Sequence, residues 1–448
     1  MSRPCRPAWF ASPFALYEGD PYDPNPEKTA ADLILTFKPP TPKRSLQRLA
    51  LTVNRVLVLP ALKHVDVVLP RSEADKLRAI PGHAGNLLVA PHPDWLDGQV
   101  MLHLYSVAGK VPAGFFMASD ALQKRSALYR AVLSLLGAVP IRRGKPNPEA
   151  VEYLIQRVAE SGWGGIFPEG AIYISRRVMP MEYGAVRIGI EAALKAQSVA
   201  AGQSAIRPVF ITPYAHVYFH TDREAMLGKM NTTLQEIEAR PDVFGRPGAG
   251  DLPDRLRAVA QRILESKARR YHIAVDGWEA LDLFERGERL QGQLLEQLER
   301  KYSGEIKTGY PRRRAMKVRM KIYERLAESS PTQKAELSED LQKTLDIVVL
   351  ISFDRAYISR YHDLEMWGEF LRRFRDSVGM REEPFGWRRA VVRVLKSWDV
   401  HDAAREYAAL PTEESRREFL FRRTEDLRTQ IQEGVDEICR ENPPLRLA

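Results

Sequence analysis

One histidine in this chain stands where acid–base chemistry would need it. In Leu87-Leu88-Val89-Ala90-Pro91-His92-Pro93-Asp94-Trp95-Leu96-Asp97 a short apolar run ends in His92, and Asp97 follows five positions later. The run, bounded by Gly85-Asn86, predicts a buried strand. Pro93 biases His92 away from the helical region, which places it at the strand's carboxyl end. Asp94 is expected to cap a helix that starts at Trp95 and runs through Val100, Met101 and Leu104. Asp97 then falls in the first turn of that helix, within reach of the imidazole. A neutral histidine with one nitrogen bonded to a carboxylate presents the other as a base, a device for taking a proton from an alcohol. Among nine histidines, one such spacing is roughly what composition supplies by accident, so it needs support from the rest of the chain.

The elements that must position the pair alternate. Strand patterns at 64–69, 113–118, 137–144, 165–167 and 206–211 are separated by helical patterns at 122–136, 148–159 and 184–196. Gly162-Trp163-Gly164-Gly165 reads as a turn. This alternation predicts an α/β fold with a largely parallel central sheet flanked by helices. Ligands of such sheets bind at the carboxyl ends of the strands. His92, Arg142, Arg143 and Glu169 all follow strand patterns, which points to one shared site.

Three regions are expected. Residues 1–70 form an N-terminal arm and a basic amphipathic helix. That helix spans 43–59, with Leu46, Leu49, Ala50, Val53, Val56 and Leu57 on one face and Lys43, Arg44, Arg48 and Arg55 toward the other, and Pro60 ends it. Such a helix suits a membrane interface or the domain core. Residues 71–240 form the α/β catalytic domain, and 245–250 a linker. Residues 251–448 form a mostly helical C-terminal domain, with helices at 252–270 and 278–300, its most buried helix within 337–367, and a basic run from Arg312 to Lys321.

The 448 residues are 44% hydrophobic and 28% charged, a globular composition, with a net charge of +9. A basic balance suits an anionic surface or substrate. Cys5 and Cys439 offer neither metal spacing nor a disulfide framework, which fits a reducing compartment. Residues 1–7 lack the apolar core of a signal peptide, and no window of 18 residues is apolar and free of charge, so no membrane-spanning helix is expected. His216, Tyr218 and His220 share one face of a strand pattern, with Asp222 after them; a satisfied strand-edge pair is the reading there, and no metal site is expected.

Four stretches, in order, resemble the glycerolipid acyltransferase superfamily of glycerol-3-phosphate and lysophosphatidate acyltransferases. Pro91-His92-Pro93-Asp94-Trp95-Leu96-Asp97 matches its Asn-His-x4-Asp block, and Gly137-Ala138-Val139-Pro140-Ile141-Arg142-Arg143 its Gly-x-x-Phe-Ile-x-Arg block. Phe167-Pro168-Glu169-Gly170-Ala171-Ile172 matches its Phe-Pro-Glu-Gly-Thr-Arg block, and Ile206-Arg207-Pro208-Val209-Phe210-Ile211 an apolar block around a proline. The resemblance covers roughly residues 80–215. It implies transfer of a fatty acyl group from a thioester, acyl-CoA or acyl carrier protein, to a hydroxyl of a glycerolipid or lysophospholipid, with no further cofactor. It makes His92 the general base and Asp97 the group that orients it. Glu169 and Gly170 shape the acceptor site, and Arg143, with Arg142 beside it, engages the acceptor's phosphate. The expected setting is the cytoplasmic face of an anionic membrane, peripherally, and no nucleic acid is expected as a partner.

The departures bear on the acceptor. Ala171-Ile172 replaces the family's Thr-Arg, no lysine stands in 181–184, Pro91 replaces an asparagine and Pro140 an aromatic residue. Arg176 and Arg177 lie near enough in sequence to restore the charge. A catalytically silent lipid-binding or scaffold protein that keeps the fold is the rival reading.

Overall fold

Strand β1 (Val65–Val68) lies beside a strand more than three hundred positions away, and this pairing organises the molecule. The computed structural model describes residues 38–118, 122, 127–141, 147–200, 207–326, 329–351, 355–380 and 384–446. Helix α1 (Arg44–Val53) runs into a π-helical stretch, Asn54–Leu62, and Pro60 lies inside that stretch instead of ending the helix. The wider π turn relieves the clash between a proline ring and the carbonyl one α-turn before it. The helix packs inward through Gln47, Leu51, Asn54 and Leu59. Leu46, Leu49, Val56 and Leu57 are exposed, so most of the apolar face read from the sequence does not meet the core.

Then follow α2 (Arg71–Arg78), β2 (Gly85–Val89), α3 (Asp97–Val107), β3 (Pro112–Ala118), α4 (Ala127–Leu136), β4 (Ala138–Ile141), α5 (Pro148–Ala159), β5 (Trp163–Ile166), α6 (Gly184–Ala200) and β6 (Val209–His220). Trp163 to Gly165 is therefore strand, not turn. Its glycines serve close packing on both faces: a Cβ on Gly165 would lie 2.3 Å from the Met101 sulfur, and one on Gly164 2.9 Å from Leu154. Side chains of β2 alternate between two cores. Leu87 and Val89 pack with α5, α6 and the last helix, and Leu88 packs with Val100, Leu104 and Tyr105 of α3.

The C-terminal region supplies α7 (Arg223–Glu238), α8 (Leu252–Arg270), α9 (Leu283–Ser303), α10 (Pro311–Leu326), α11 (Pro331–Ile351), α12 (Arg355–Arg360) and α13 (Leu364–Ser377), then β7 (Arg388–Val394), β8 (Trp398–Asp399), α14 (His401–Ala409) and α15 (Glu413–Glu441). The stretch 337–367, expected to contain a buried helix, includes parts of α11 and α13 and all of α12. Trp278–Ala280 is a separate short turn before α9.

The sheet runs β1-β7-β6-β2-β5-β3-β4, with β8 also on β6. The pairs β1–β7, β6–β2, β2–β5, β5–β3 and β3–β4 are parallel. Among the described residues the antiparallel pairs are β6–β7 and β6–β8. The expected fold class, a largely parallel sheet flanked by helices with a helical C-terminal region, is what the chain adopts. Two strands from the helical region enter the sheet, which the sequence reading did not anticipate. Long β6 joins the halves: Val209–Pro213 pairs with β2, and Tyr214–His220 with β7. No helix among the described residues is long and apolar enough to cross a membrane.

Candidate active site

β2 is buried along its whole length and delivers Pro91-His92-Pro93 to the carboxyl edge of the sheet. The next helix begins at Asp97, two residues later than expected, and Asp94 does not cap it. Asp94 turns inward instead. One of its oxygens accepts the Leu96 N–H at 3.0 Å; the other receives guanidinium N–H groups of Arg388 at 2.6 Å and Arg372 at 2.7 Å. Burial alone would push the Asp94 carboxyl up, but Arg388 and Arg372 hold it far below the usual carboxylate range. Two arginines meeting one buried carboxylate outweigh the single N–H of a helix cap.

Asp97 sits at the first position of α3 and is fully buried. Its Oδ2 accepts His92 Nδ1–H at 2.7 Å and the Asp94 backbone N–H at 2.9 Å. Its Oδ1 accepts from His216 Nε2 and from the Tyr218 hydroxyl, both at 2.7 Å. Burial would raise this carboxyl; His216 and His92 outweigh it and leave the group ionised below its ordinary value. A carboxylate only accepts, so the proton of the His92–Asp97 bond belongs to Nδ1, and Nε2 keeps its lone pair. The His92 side chain retains 21% of its exposure, whereas Asp97 has none. The ring lies on Phe167, centroids 4.4 Å apart and 14° from parallel.

Glu169 follows β5 and braces the same loop. Its carboxyl oxygens accept the backbone N–H groups of His92 at 3.0 Å and Met179 at 2.8 Å, and the His92 carbonyl accepts the Tyr173 N–H at 2.9 Å. Burial pushes Glu169 up to about 8, against the pull of those two N–H groups. Its contact is with the backbone of His92, so its place is that of a brace for the loop.

Gly170 adopts φ +66°, and a Cβ there would come within 2.4 Å of the Arg312 guanidinium. The left-handed backbone favours glycine there, and the absence of a side chain lets the Arg312 guanidinium lie close. Arg312, on α10, thus lies against the block in which Ala171-Ile172 stands. It and Arg313 share one carboxylate, Glu182, at 3.3 and 3.1 Å. Arg176 does not restore charge to the cleft. It points into the interior, makes two 2.8 Å bonds to Asp363 and lies 3.3 Å from Glu369. Arg142 and Arg143 follow β4 and lie outside the described residues.

His92, Asp97, Glu169 and Gly170 therefore converge at one strand-end site. Sequence reasoning placed His216 and Tyr218 on one strand face but did not connect them with Asp97; the period-two spacing was the available signal. His220, on the same face, bonds to Glu365, and Asp222 caps α7. Arg372 and Arg388 carried no signal, because nearly three hundred residues separate them from Asp94. Chemically, the arrangement holds one imidazole in a fixed tautomer, with an accessible basic nitrogen and a buried anion behind it.

No curated protein matches the chain. Residues 71–215 match the family model described as Acyltransferase, a span that contains every block on which the resemblance was read. This part of the chain, which contains His92 and Asp97, is similar to the acyltransferase family, and the match supports a general acyltransferase role.

Proposed function

We propose that the protein transfers a fatty acyl group from an acyl thioester, acyl-CoA or acyl carrier protein, to a hydroxyl of an anionic glycerolipid or lysophospholipid. The observation that carries this reading is the 2.7 Å bond between His92 and buried Asp97, with the imidazole still open. His92 Nε2 takes the hydroxyl proton as the acceptor oxygen attacks the thioester carbonyl. The carbon–sulfur bond then breaks, and the imidazolium returns the proton to the departing thiolate. Asp97 stabilises the imidazolium between the two steps. A thioester is already activated, so no enzyme nucleophile is required. Arg143 is assigned to the acceptor's anionic head by the resemblance. Arg312, over Gly170, adds a second cation beside the Glu169-Gly170 block and supports an anionic acceptor.

The test is thiol release from an acyl-CoA mixture in the presence of lysophospholipid and glycerol phosphate acceptors. His92→Ala is expected to lower turnover by about 10²–10⁴-fold with little change in folding. Absence of acyl transfer by the wild type to every acceptor would instead favour the silent lipid-binding protein, a reading that the altered Ala171-Ile172 supports.

The setting proposed is peripheral to an anionic membrane on its cytoplasmic side. Leu49, Val56 and Leu128 are 60%, 64% and 76% exposed, and the helices that carry them touch: Lys43 N–H reaches the Leu135 carbonyl, and Gln47 the Leu136 carbonyl. Lys43, Arg44, Arg48 and Arg55 are exposed on the same helical stretch. Apolar side chains framed by cations suit an anionic lipid surface. The protein is expected to float with phosphatidylserine vesicles at low salt, and Leu49→Glu with Val56→Glu to stay in the soluble fraction. Equal flotation of both proteins would refute the assignment.

A further inference from the structure

Residues of α8, α9, α11, α12 and α13 line a partly open cavity of about 330 Å³ that no step of the proposed reaction uses. Its walls are hydrocarbon: Ala260 and Ile263 from α8, and Trp367, Phe370 and Phe374 from α13. The α9 wall contains Gly287, in the second turn of the helix and buried, and a Cβ built there meets nothing within 4 Å. A buried helical glycine facing open space is unusual. It lowers helix stability relative to alanine and fills nothing, yet it keeps this volume free. Cavities of about 300 Å³ and more with apolar walls are typical of small-ligand sites.

Size and charge narrow the ligand. The space is large enough for many methylene groups, so it accepts a hydrocarbon chain of medium length. Arg257, Lys267 and Arg355 border the cavity, against one acid, Asp282. Lys267 is bonded to Asp346, whereas the side chains of Arg257 and Arg355 are 62% and 60% exposed. Exposed pairs such as Arg257 with Asp254 are weak, so an incoming anion can replace the acid at little cost. We infer that this cavity binds the hydrocarbon chain of a fatty acid whose carboxylate rests on the basic rim, at a site separate from His92.

The test is calorimetric titration of the full chain with dodecanoate below its micelle concentration. Wild type is expected to bind one equivalent and to unfold at higher temperature with dodecanoate present. A Cβ at Gly287 meets nothing within 4 Å, so Gly287→Phe is expected to project into the void and lower affinity roughly tenfold or more. Ala260→Leu, from the opposite wall, should weaken binding in the same direction and serves if the phenylalanine variant fails to fold. Dodecanol should bind more weakly than dodecanoate. No binding by wild type, unchanged affinity in the filled variants, or equal affinity for the alcohol would each overturn the inference. The readout is binding and not turnover, so its failure is distinct from failure of the acyl-transfer proposal.

Discussion

Asp97→Asn is expected to lower acyl transfer by about 10³–10⁴-fold, comparable to removal of the base itself. Four donors converge on the carboxylate: His92 Nδ1, His216 Nε2, the Tyr218 hydroxyl and the Asp94 N–H. An amide offers one oxygen and turns an NH₂ group toward the other donors. If that NH₂ faces His92, Nδ1 must become the acceptor and Nε2 carries the proton, which is the wrong tautomer for a base. Steady-state thiol release at saturating acyl-CoA measures the loss; a variant with half of wild-type turnover would exclude Asp97 from the mechanism. The pH dependence follows from the same contacts. The folded carboxyl lies below its ordinary value. Its ionisation therefore adds stability above the unfolded value of about 3.9, and that stability is lost as the pH falls through the lower folded value. The variant lacks this contribution, so the stability gap between the two proteins should narrow in acid.

Arg388→Ala should cost about 3–5 kcal/mol of folding stability, because it removes one member of a buried ion cluster and leaves the others in place. Arg388 is 1% exposed, bonds to Asp94 at 2.6 Å, and lies over the Tyr218 ring at 4.9 Å. Its loss also loosens the loop that carries His92, since Asp94 donates its backbone N–H to Asp97. Equilibrium urea unfolding reads the stability change, and an unchanged midpoint would show that Arg372 alone suffices for Asp94. Arg388→Lys is not expected to restore wild-type stability, because a shorter, more strongly hydrated ammonium lacks the flat face that meets Tyr218.

Local signals carried most of the site. A strand ending at a proline-flanked histidine, with an aspartate in the first turn of the following helix, was legible because it needs only neighbouring residues. Glu169 and Gly170 were legible as a block after a second strand. Two misreadings share one cause. Asp94 looked like a helix cap and Arg176 like a substitute for a lost surface charge, because short-range patterns assign such residues local roles. Both are claimed by side chains beyond residue 360, which no local pattern predicts. The glycines of β5 misled in the same way: turn composition and tight helix packing use the same residue, and only the Met101 and Leu154 contacts separate the two. The alternation in Arg388-Arg389-Ala390-Val391-Val392-Arg393-Val394 was weak beside the helical character around it.

The pairing of β1 with β7 bears on how the protein is made. When His92 and Asp94 leave the ribosome, the arginine that anchors them is still about 300 codons away, or about 15–60 s at ordinary elongation rates. During that interval β2 and α3 can form, but β6 has only one of its lateral neighbours and Asp94 lacks its counter-ions. The apolar edge of β6 stays unpaired until β7 emerges, an interval in which a chaperone that binds apolar edges is expected to associate with the nascent chain.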